Sequence, residues 1–382
     1  MRVLHIMPNI SRSYGGPVES LIGYTKAARL ANVEIEVAAP QCSKKEIHWL
    51  KEQLPGIGFF LFKSMGRHTW VSSPGLWKWL RIKGKEYDAI HIHGLFNPVS
   101  SFSATVCRKK GYPYLQRPFG TLSEYTFSRN SWFKKPWFHL VDKPNLIKAA
   151  GIHFTTEAES AEANRLQLPL DEKKFVVPPP FRGEKMKSVD IEERFEAPTC
   201  LYMSRLHPIK NIEGLLQAWG YVTNHFPSAK LLIAGSGKEG YEASLQQLVE
   251  NLKLNNSVEF KGFVTGHEKR RLLQLAWVFA LPSHHENFGI AVLEAMAAGL
   301  PVVISPDVQL ADFVKTTDTG KVVAKKPGKI AEAMIQLFRD DEYRRRMETK
   351  GPEEVAEAFS LERVGRQLHQ MYREVASMCG NG

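Results

Sequence analysis

The sequence is poor in cysteine, has no long apolar run and carries no low-complexity tract. Its 382 residues include four cysteines, Cys42, Cys107, Cys200 and Cys379, with no pairing or metal-ligand spacing. A reduced, cytoplasmic protein without a disulfide framework or a structural metal is the expectation. No window approaches the roughly 18 uninterrupted apolar residues of a membrane span. The opening Met1-Arg-Val-Leu-His-Ile-Met-Pro8 is too short and too strand-like for a signal peptide.

What is present is the composition of a globular protein, 43% apolar and 24% charged, with length enough for two domains. The net charge of +11 is unevenly spread. Residues 1–180 hold 25 Lys and Arg against 14 Asp and Glu, whereas residues 181–382 hold 26 of each. Six of the eight tryptophans also lie in the first half. A basic, Trp-rich half predicts an anionic partner such as a phospholipid surface, a lipid-phosphate or a nucleic acid. The alternative is a solvated basic surface over buried tryptophans.

Short apolar runs alternate with helical stretches along the chain. Strands are expected at Val3–Met7, Val33–Ala38, Phe59–Phe62, Ala89–His93, Tyr112–Gln116 and Ile152–Thr155, and again at Cys200–Met203, Lys230–Ala234, Val258–Lys261, Val278–Leu281, Val302–Ile304 and Lys321–Val323. Such apolar strands joined by helices imply parallel sheets covered on both faces. The Pro-rich Pro178-Pro-Pro-Phe-Arg-Gly183 and the charged stretch up to Pro198 read as a linker. The fold class is therefore α/β. Two doubly wound Rossmann-like domains, 1–180 and 199–382, are expected to face a cleft, joined by a linker at 181–198. A long final helix, roughly Glu353 to Ser377, can pack back on the first domain. Ligands of such sheets bind at the carboxyl ends of the strands.

The strongest motif is Ser283-His-His-Glu-Asn-Phe-Gly289-Ile-Ala-Val-Leu-Glu294, which follows the strand Val278–Leu281. Gly289 opens a helix whose first amides are free to hold an anion. Glu286 precedes that start and Glu294 lies about one and a half turns beyond it. Two carboxylates flanking a phosphate site suit a ligand with sugar hydroxyls on either side of a phosphate. The second motif, Met203-Ser-Arg205-Leu-His-Pro-Ile-Lys210-Asn211, also joins a strand end to a helix start. Arg205 and Lys210 can converge on one phosphate, the first as a fork and the second as a point charge. Asn211 is expected as the helix N-cap.

These residues, with Gly299-Leu-Pro-Val-Val303, resemble family 4 of the retaining glycosyltransferases, the group 1 glycosyl transferases of GT-B fold. The resemblance implies a donor held mainly by the C-terminal domain and an acceptor against the N-terminal one. It implies that Glu286 binds donor-sugar hydroxyls, Glu294 the ribose, and Arg205 and Lys210 the diphosphate. Asn287, Phe288, Gly289 and Ile290 would line sugar and phosphates, and Gly262, Phe263 and Val264 would border the base. In the first half Gly15 and Gly16 resemble the family's glycine loop beside the donor phosphates. His93, ending the strand Ala89–His93, stands where the family sets a histidine against the donor sugar. His91, on the same face, reads as a structural histidine. Arg117-Pro-Phe-Gly-Thr121 resembles a cleft loop. The catalytic set expected is Glu286, His93, Arg205 and Lys210. No Asp-x-Asp lies near a strand end, so no metal and no cofactor is expected.

A rival reading starts from Gly235-Ser-Gly237-Lys-Glu-Gly240, which fits a dinucleotide fingerprint, with Glu259 further on. It leaves Glu286, Glu294, Arg205 and Lys210 unexplained and ranks second, ahead of a non-catalytic nucleotide-sugar-binding protein. The expected partners are a nucleotide-sugar, with UDP-glucose the first guess, and a glycan or lipid-linked acceptor in polysaccharide biosynthesis. No recognition motif points to nucleic acid. The segment Phe127-Ser-Arg-Asn-Ser-Trp-Phe-Lys-Lys-Pro-Trp-Phe138 interleaves aromatic and basic residues. It offers a peripheral contact with an anionic membrane, or else core packing under solvated charges.

Overall fold

The computed structural model describes residues 1–67, 70–123, 131–166, 168–183 and 194–378. It divides into two units: Met1–Arg182 with Phe359–Gly382, and Gly183–Ala358. The tail from Phe359 thus belongs with the first unit rather than with 199–382. Most of the charged linker, 184–193, lies outside the described residues, as does Cys379.

The first unit is built on seven strands: β1 (Arg2–Ile6), β2 (Glu34–Pro40), β3 (Gly58–Phe62), β6 (Ala89–His93), β7 (Tyr114–Arg117), β8 (Gly151–Phe154) and β9 (Lys174–Val176). The short β4 (Met65–Arg67) and β5 (Trp70–Ser72) pair separately. The sheet order is β3-β2-β1-β6-β7-β8-β9, and every pair is parallel. Strand β9 was not expected, because three residues following a charged turn carry no apolar run. The order reverses between β1 and β6, so their carboxyl ends open the crevice in which such sheets bind ligands.

The second unit repeats the plan with β10 (Thr199–Met203), β11 (Lys230–Ala234), β12 (Val258–Gly262), β13 (Val278–Leu281), β14 (Val302–Ile304) and β15 (Gly320–Val322). Its order is β12-β11-β10-β13-β14-β15, again all parallel. Here the switch point lies between β10 and β13, whose following loops carry the motifs that contain Arg205, Lys210 and Glu286.

The single long final helix is two helices, Asp341–Phe359 and Leu361–Met378. Ser360 divides them: its hydroxyl accepts from the Arg363 amide at 3.3 Å, capping the second helix. The Phe359 carbonyl accepts from the Phe181 amide at 2.7 Å. The last helix buries Val364, Leu368, Met371, Tyr372 and Val375, spaced for one face, against Val3, Tyr24, Ala27 and Ala28. Gly365 lets it approach the helix Gly16–Leu30, since a Cβ there would stand 2.3 Å from the Ala27 carbonyl oxygen.

Candidate active site

In the second unit the loops after β10 and β13 are laced together by their backbones. His284 N–H donates to the Ile209 carbonyl at 2.8 Å, and Asn211 Nδ2 donates to the Pro282 carbonyl at 3.0 Å. Asn211 does occupy the position before the helix Ile212–His225, in the left-handed region at φ 55°, but its side chain does not cap that helix. It ties the two loops instead. On the other side, the Glu286 amide donates to the Asp307 carbonyl at 3.0 Å and its carbonyl accepts from Gln309 N–H at 3.1 Å. The backbone of Glu286 is therefore fixed from both directions.

Within this frame Lys210 Nζ donates to Glu286 Oε2, with both side chains mostly buried. Gly289 is the N-cap of the helix Ile290–Ala297 at φ 89°, which only glycine adopts without strain. The first intrahelical donors are Val292 and Leu293, both to the Gly289 carbonyl, so the preceding amides lie outside the ladder. Asn287 is half-buried and its Oδ1 has no partner. Phe288 is buried. Arg205 is exposed: its carbonyl accepts from the Tyr202 hydroxyl at 3.4 Å, and its guanidinium makes no hydrogen bond or ion pair among the described residues. Glu294 Oε1 accepts from Lys269 Nζ at 2.6 Å. Lys269, on the helix Gly266–Leu275, carried no sequence signal beyond its charge. Burial holds the imidazole of His285 below its usual range, with Lys210 acting the same way and Glu286 and Asp307 opposing. Gly262 (φ 66°) ends β12, and the strongly exposed Phe263 follows it, then Val264.

The glycines of the rival fingerprint have another explanation. A Cβ on Gly235 would lie 1.9 Å from the Ser204 carbonyl oxygen, and one on Gly237 would lie 2.3 Å from that of Leu206. Leu206 N–H donates to the Ser236 carbonyl at 2.9 Å. These glycines seat the loop that carries Arg205. Glu259 pairs with Lys261 on β12.

In the first unit Gly15 (φ 71°) caps the helix Gly16–Leu30, and Glu19 in its first turn pairs with Arg182. No atom would crowd a Cβ on either Gly15 or Gly16. His93 is fully buried at the end of β6 and lies in a cluster of four histidines with His5, His91 and His153. His5 Nδ1 is 2.9 Å from His93 Nε2, and His153 Nδ1 is 3.1 Å from His91 Nε2. The Tyr372 hydroxyl lies 3.1 Å from His5 Nε2 and 2.9 Å from His91 Nδ1. Burial is the first cause that keeps all four rings below their ordinary pKa, and the charge of Arg117 acts in the same direction. Arg117 is itself buried, its guanidinium over the rings of Tyr24 (4.6 Å) and Phe119 (4.3 Å). His5, His91 and His93 bring nitrogens within 4.8 Å of one another, the spacing of a three-histidine metal centre. Sequence reasoning missed His5, His153 and Tyr372: the two histidines are single polar residues in apolar strands, and Tyr372 lies on an amphipathic helix whose partner face the sequence does not reveal.

The aromatic and basic segment divides. Phe138 is buried, and Trp137 packs edge-on against Trp70 at 4.7 Å. Trp132 and Leu140 are 82% and 77% exposed. Phe127 and Arg129 lie outside the described residues. No helix among the described residues is long and apolar enough to cross a membrane.

Residues 184–354 match the family model of glycosyl transferases group 1, and residues 25–180 match that of a glycosyl transferase 4-like domain. N-acetyl-alpha-D-glucosaminyl L-malate synthase of Bacillus anthracis is 30% identical over 184 residues, 48% of this chain and 47% of that protein. D-inositol 3-phosphate glycosyltransferase of Corynebacterium urealyticum is 31% identical over 188 residues, 47% and 44% of the two. The chain spans about half the length of the curated relatives it matches. Anabaena HepE, solved with UDP and glucose, superposes with a TM-score of 0.75 at 17% identity over 97% of this chain and 98% of that one. Sucrose-phosphate synthase from Thermosynechococcus elongatus gives 0.73 at 18% over 99% and 100%. At such identity the likeness shows the fold, which is GT-B.

Proposed function

The chain belongs to the group 1 glycosyl transferases, and from that premise we propose that it moves a sugar from a nucleotide-sugar to a glycan or lipid-linked acceptor in polysaccharide biosynthesis. The observation that carries the reading is the Lys210–Glu286 pair, set by laced backbones beside the free amides at Gly289. A diphosphate needs fixed positive charge, which Lys210, Arg205 and the helix start supply. A sugar needs hydrogen-bond acceptors, which Glu286 and, for the ribose, Glu294 supply.

UDP-glucose is the first candidate donor, since UDP and glucose occupy Anabaena HepE. GDP-mannose follows, used by a mannosyltransferase of Corynebacterium glutamicum that is 33% identical over 179 residues. Transfer proceeds with retention. The acceptor oxygen bonds to the anomeric carbon on the face from which the diphosphate leaves, the carbon–oxygen bond to phosphate breaks, and a departing phosphate oxygen takes the acceptor proton. The cationic groups named make a metal unnecessary for this departure.

A thermal-shift screen of UDP, UDP-glucose, UDP-GlcNAc, GDP-mannose and NADH tests the reading. A donor at 100 times its Kd adds about 2.7 kcal/mol of stability. A response to NADH alone would favour the dinucleotide reading, and no response to any nucleotide-sugar would sink the donor site. Turnover in excess EDTA is expected to equal turnover without it; loss restored by Mg²⁺ would overturn the metal-free mechanism.

A further inference from the structure

We propose that Tyr372, on the last helix, is a positioning residue that fixes the proton on Nε2 of His93, through a chain of hydrogen bonds across the buried histidines. The direction of that chain follows from its fixed end. The Val177 carbonyl can only accept, and it lies 2.8 Å from His153 Nε2, so that nitrogen carries the proton. The Tyr24 hydroxyl donates to the same carbonyl at 2.9 Å, filling its other lone pair. A neutral His153 must then accept at Nδ1, from His91 Nε2 at 3.1 Å. His91 in turn accepts at Nδ1 from the Tyr372 hydroxyl at 2.9 Å. The hydroxyl oxygen accepts from His5 Nε2 at 3.1 Å, and His5 Nδ1 accepts from His93 Nε2 at 2.9 Å. Each link leaves one choice at the next. The chain ends at His93 Nδ1, a buried nitrogen with no partner.

Neutral rings are what the surroundings demand. Burial and the buried guanidinium of Arg117 both disfavour a second cation. Glu159 is the acid that balances Arg117, and its oxygens are occupied by the amides of Gly120 and Thr155 and by the Thr155 hydroxyl. It is therefore committed elsewhere and does not enter the chain.

The consequence is chemical selectivity. His93 Nδ1 is a lone pair, so it meets a donor such as a sugar hydroxyl and repels a carboxylate or a carbonyl oxygen. This consequence rests on the proposed reading that His93 faces the donor sugar; the tautomer itself does not. Tyr372 is the one hydroxyl in the chain, able to accept from one ring while donating to another. Removing its oxygen frees His5 and His93 from the anchor at Val177.

Histidine-selective ¹⁵N NMR at neutral pH, with the signals assigned by single His→Gln variants, reads the tautomers directly. The wild type should show His5, His91, His93 and His153 neutral and protonated at Nε2. Tyr372→Phe should turn His93 into a mixture of tautomers. A wild-type His93 protonated at Nδ1, or one unmoved in Tyr372→Phe, would overturn the proposal. So would one equivalent of Zn²⁺ retained through dialysis, which would make the cluster a metal centre. In the reaction, UDP-glucose hydrolysis supplies the second readout. Tyr372→Phe should lower kcat/KM about tenfold, and should cause no further loss in a His93→Asn background. Equal losses in both backgrounds would mean that Tyr372 acts by another route. The spectra decide the tautomer whether or not UDP-glucose is used, so an inert wild type with the expected spectra counts against the donor reading alone.

Discussion

At the scale of single residues, Lys210 and Glu286 show how far a motif can be read. Both were expected as ligand contacts, and the spacing within each motif put them at strand ends. Their mutual pairing was not legible, because it depends on two loops 76 residues apart being laced together. The pair also separates two variants that look alike in sequence. Glu286→Ala strands a mostly buried ammonium, so it should cost about 1–3 kcal/mol of stability. Arg205→Ala removes an exposed group and should stay within about 0.5 kcal/mol of wild type. Both should lower donor turnover by about 10²–10³. Urea denaturation beside kinetics checks this; full turnover in either variant would remove that residue from the site.

The four histidines give a second residue-scale expectation. Their folded pKa values lie below the unfolded value, that of His5 at about 3. Between the two values the unfolded chain binds more protons, so their stabilisation is complete above about pH 6.5 and drains away as the pH falls. Each ring contributes about 1.4 kcal/mol per pH unit in that window. Asp142 opposes this: burial pushes its carboxyl up to about 6, so its own contribution weakens as the pH rises. Four groups against one leave a net loss toward acid. Urea midpoints should fall steeply from pH 7 to pH 5, and a flat profile would mean that the rings are charged in the folded state.

At the scale of elements, twelve of the fifteen strands among the described residues lie close to the expected positions, with an apolar run as the signal each time. Buried parallel strands need such runs on both faces. The break at Ser360 was missed because helical periodicity runs through it, and only the cap geometry reveals it. The role of Gly365 was equally hidden, since a glycine inside a helix reads as a weak point until its neighbour is known. It is a contact site here. Gly365→Ala should cost about 1–3 kcal/mol by forcing the last helix from the Ala27 carbonyl. Gly220→Ala, in a helix where nothing lies within 4 Å of the added carbon, should gain about 0.5–1 kcal/mol. Thermal unfolding of the two variants, shifting in opposite directions, is the check. A neutral Gly365→Ala would mean that the helix docks with slack.

At the scale of the whole molecule, the uneven charge is the feature that neither fold nor donor motif explains. Residues 181–382 have no net charge, while residues 1–180 hold the whole excess. The aromatic segment of that first domain is partly core: Phe138 is buried and Trp137 packs against Trp70, so only part of it is exposed to a surface. What remains outside is Trp132, Leu140 and the exposed ammonium of Lys135. Indole favours the membrane interface, and each nearby cation adds about 1 kcal/mol on an anionic leaflet. A few such contacts would give weak, salt-sensitive attachment, in keeping with the lipid-linked acceptor proposed above. The wild type should therefore co-sediment with anionic vesicles at low salt and release as salt shortens the Debye length to about 8 Å. Trp132→Ala with Lys135→Glu should bind less without losing stability, because both side chains are exposed. Equal binding to neutral and anionic vesicles at low salt would separate the charge from membranes and favour a soluble acceptor, with the basic surface left to attract an anionic substrate in solution.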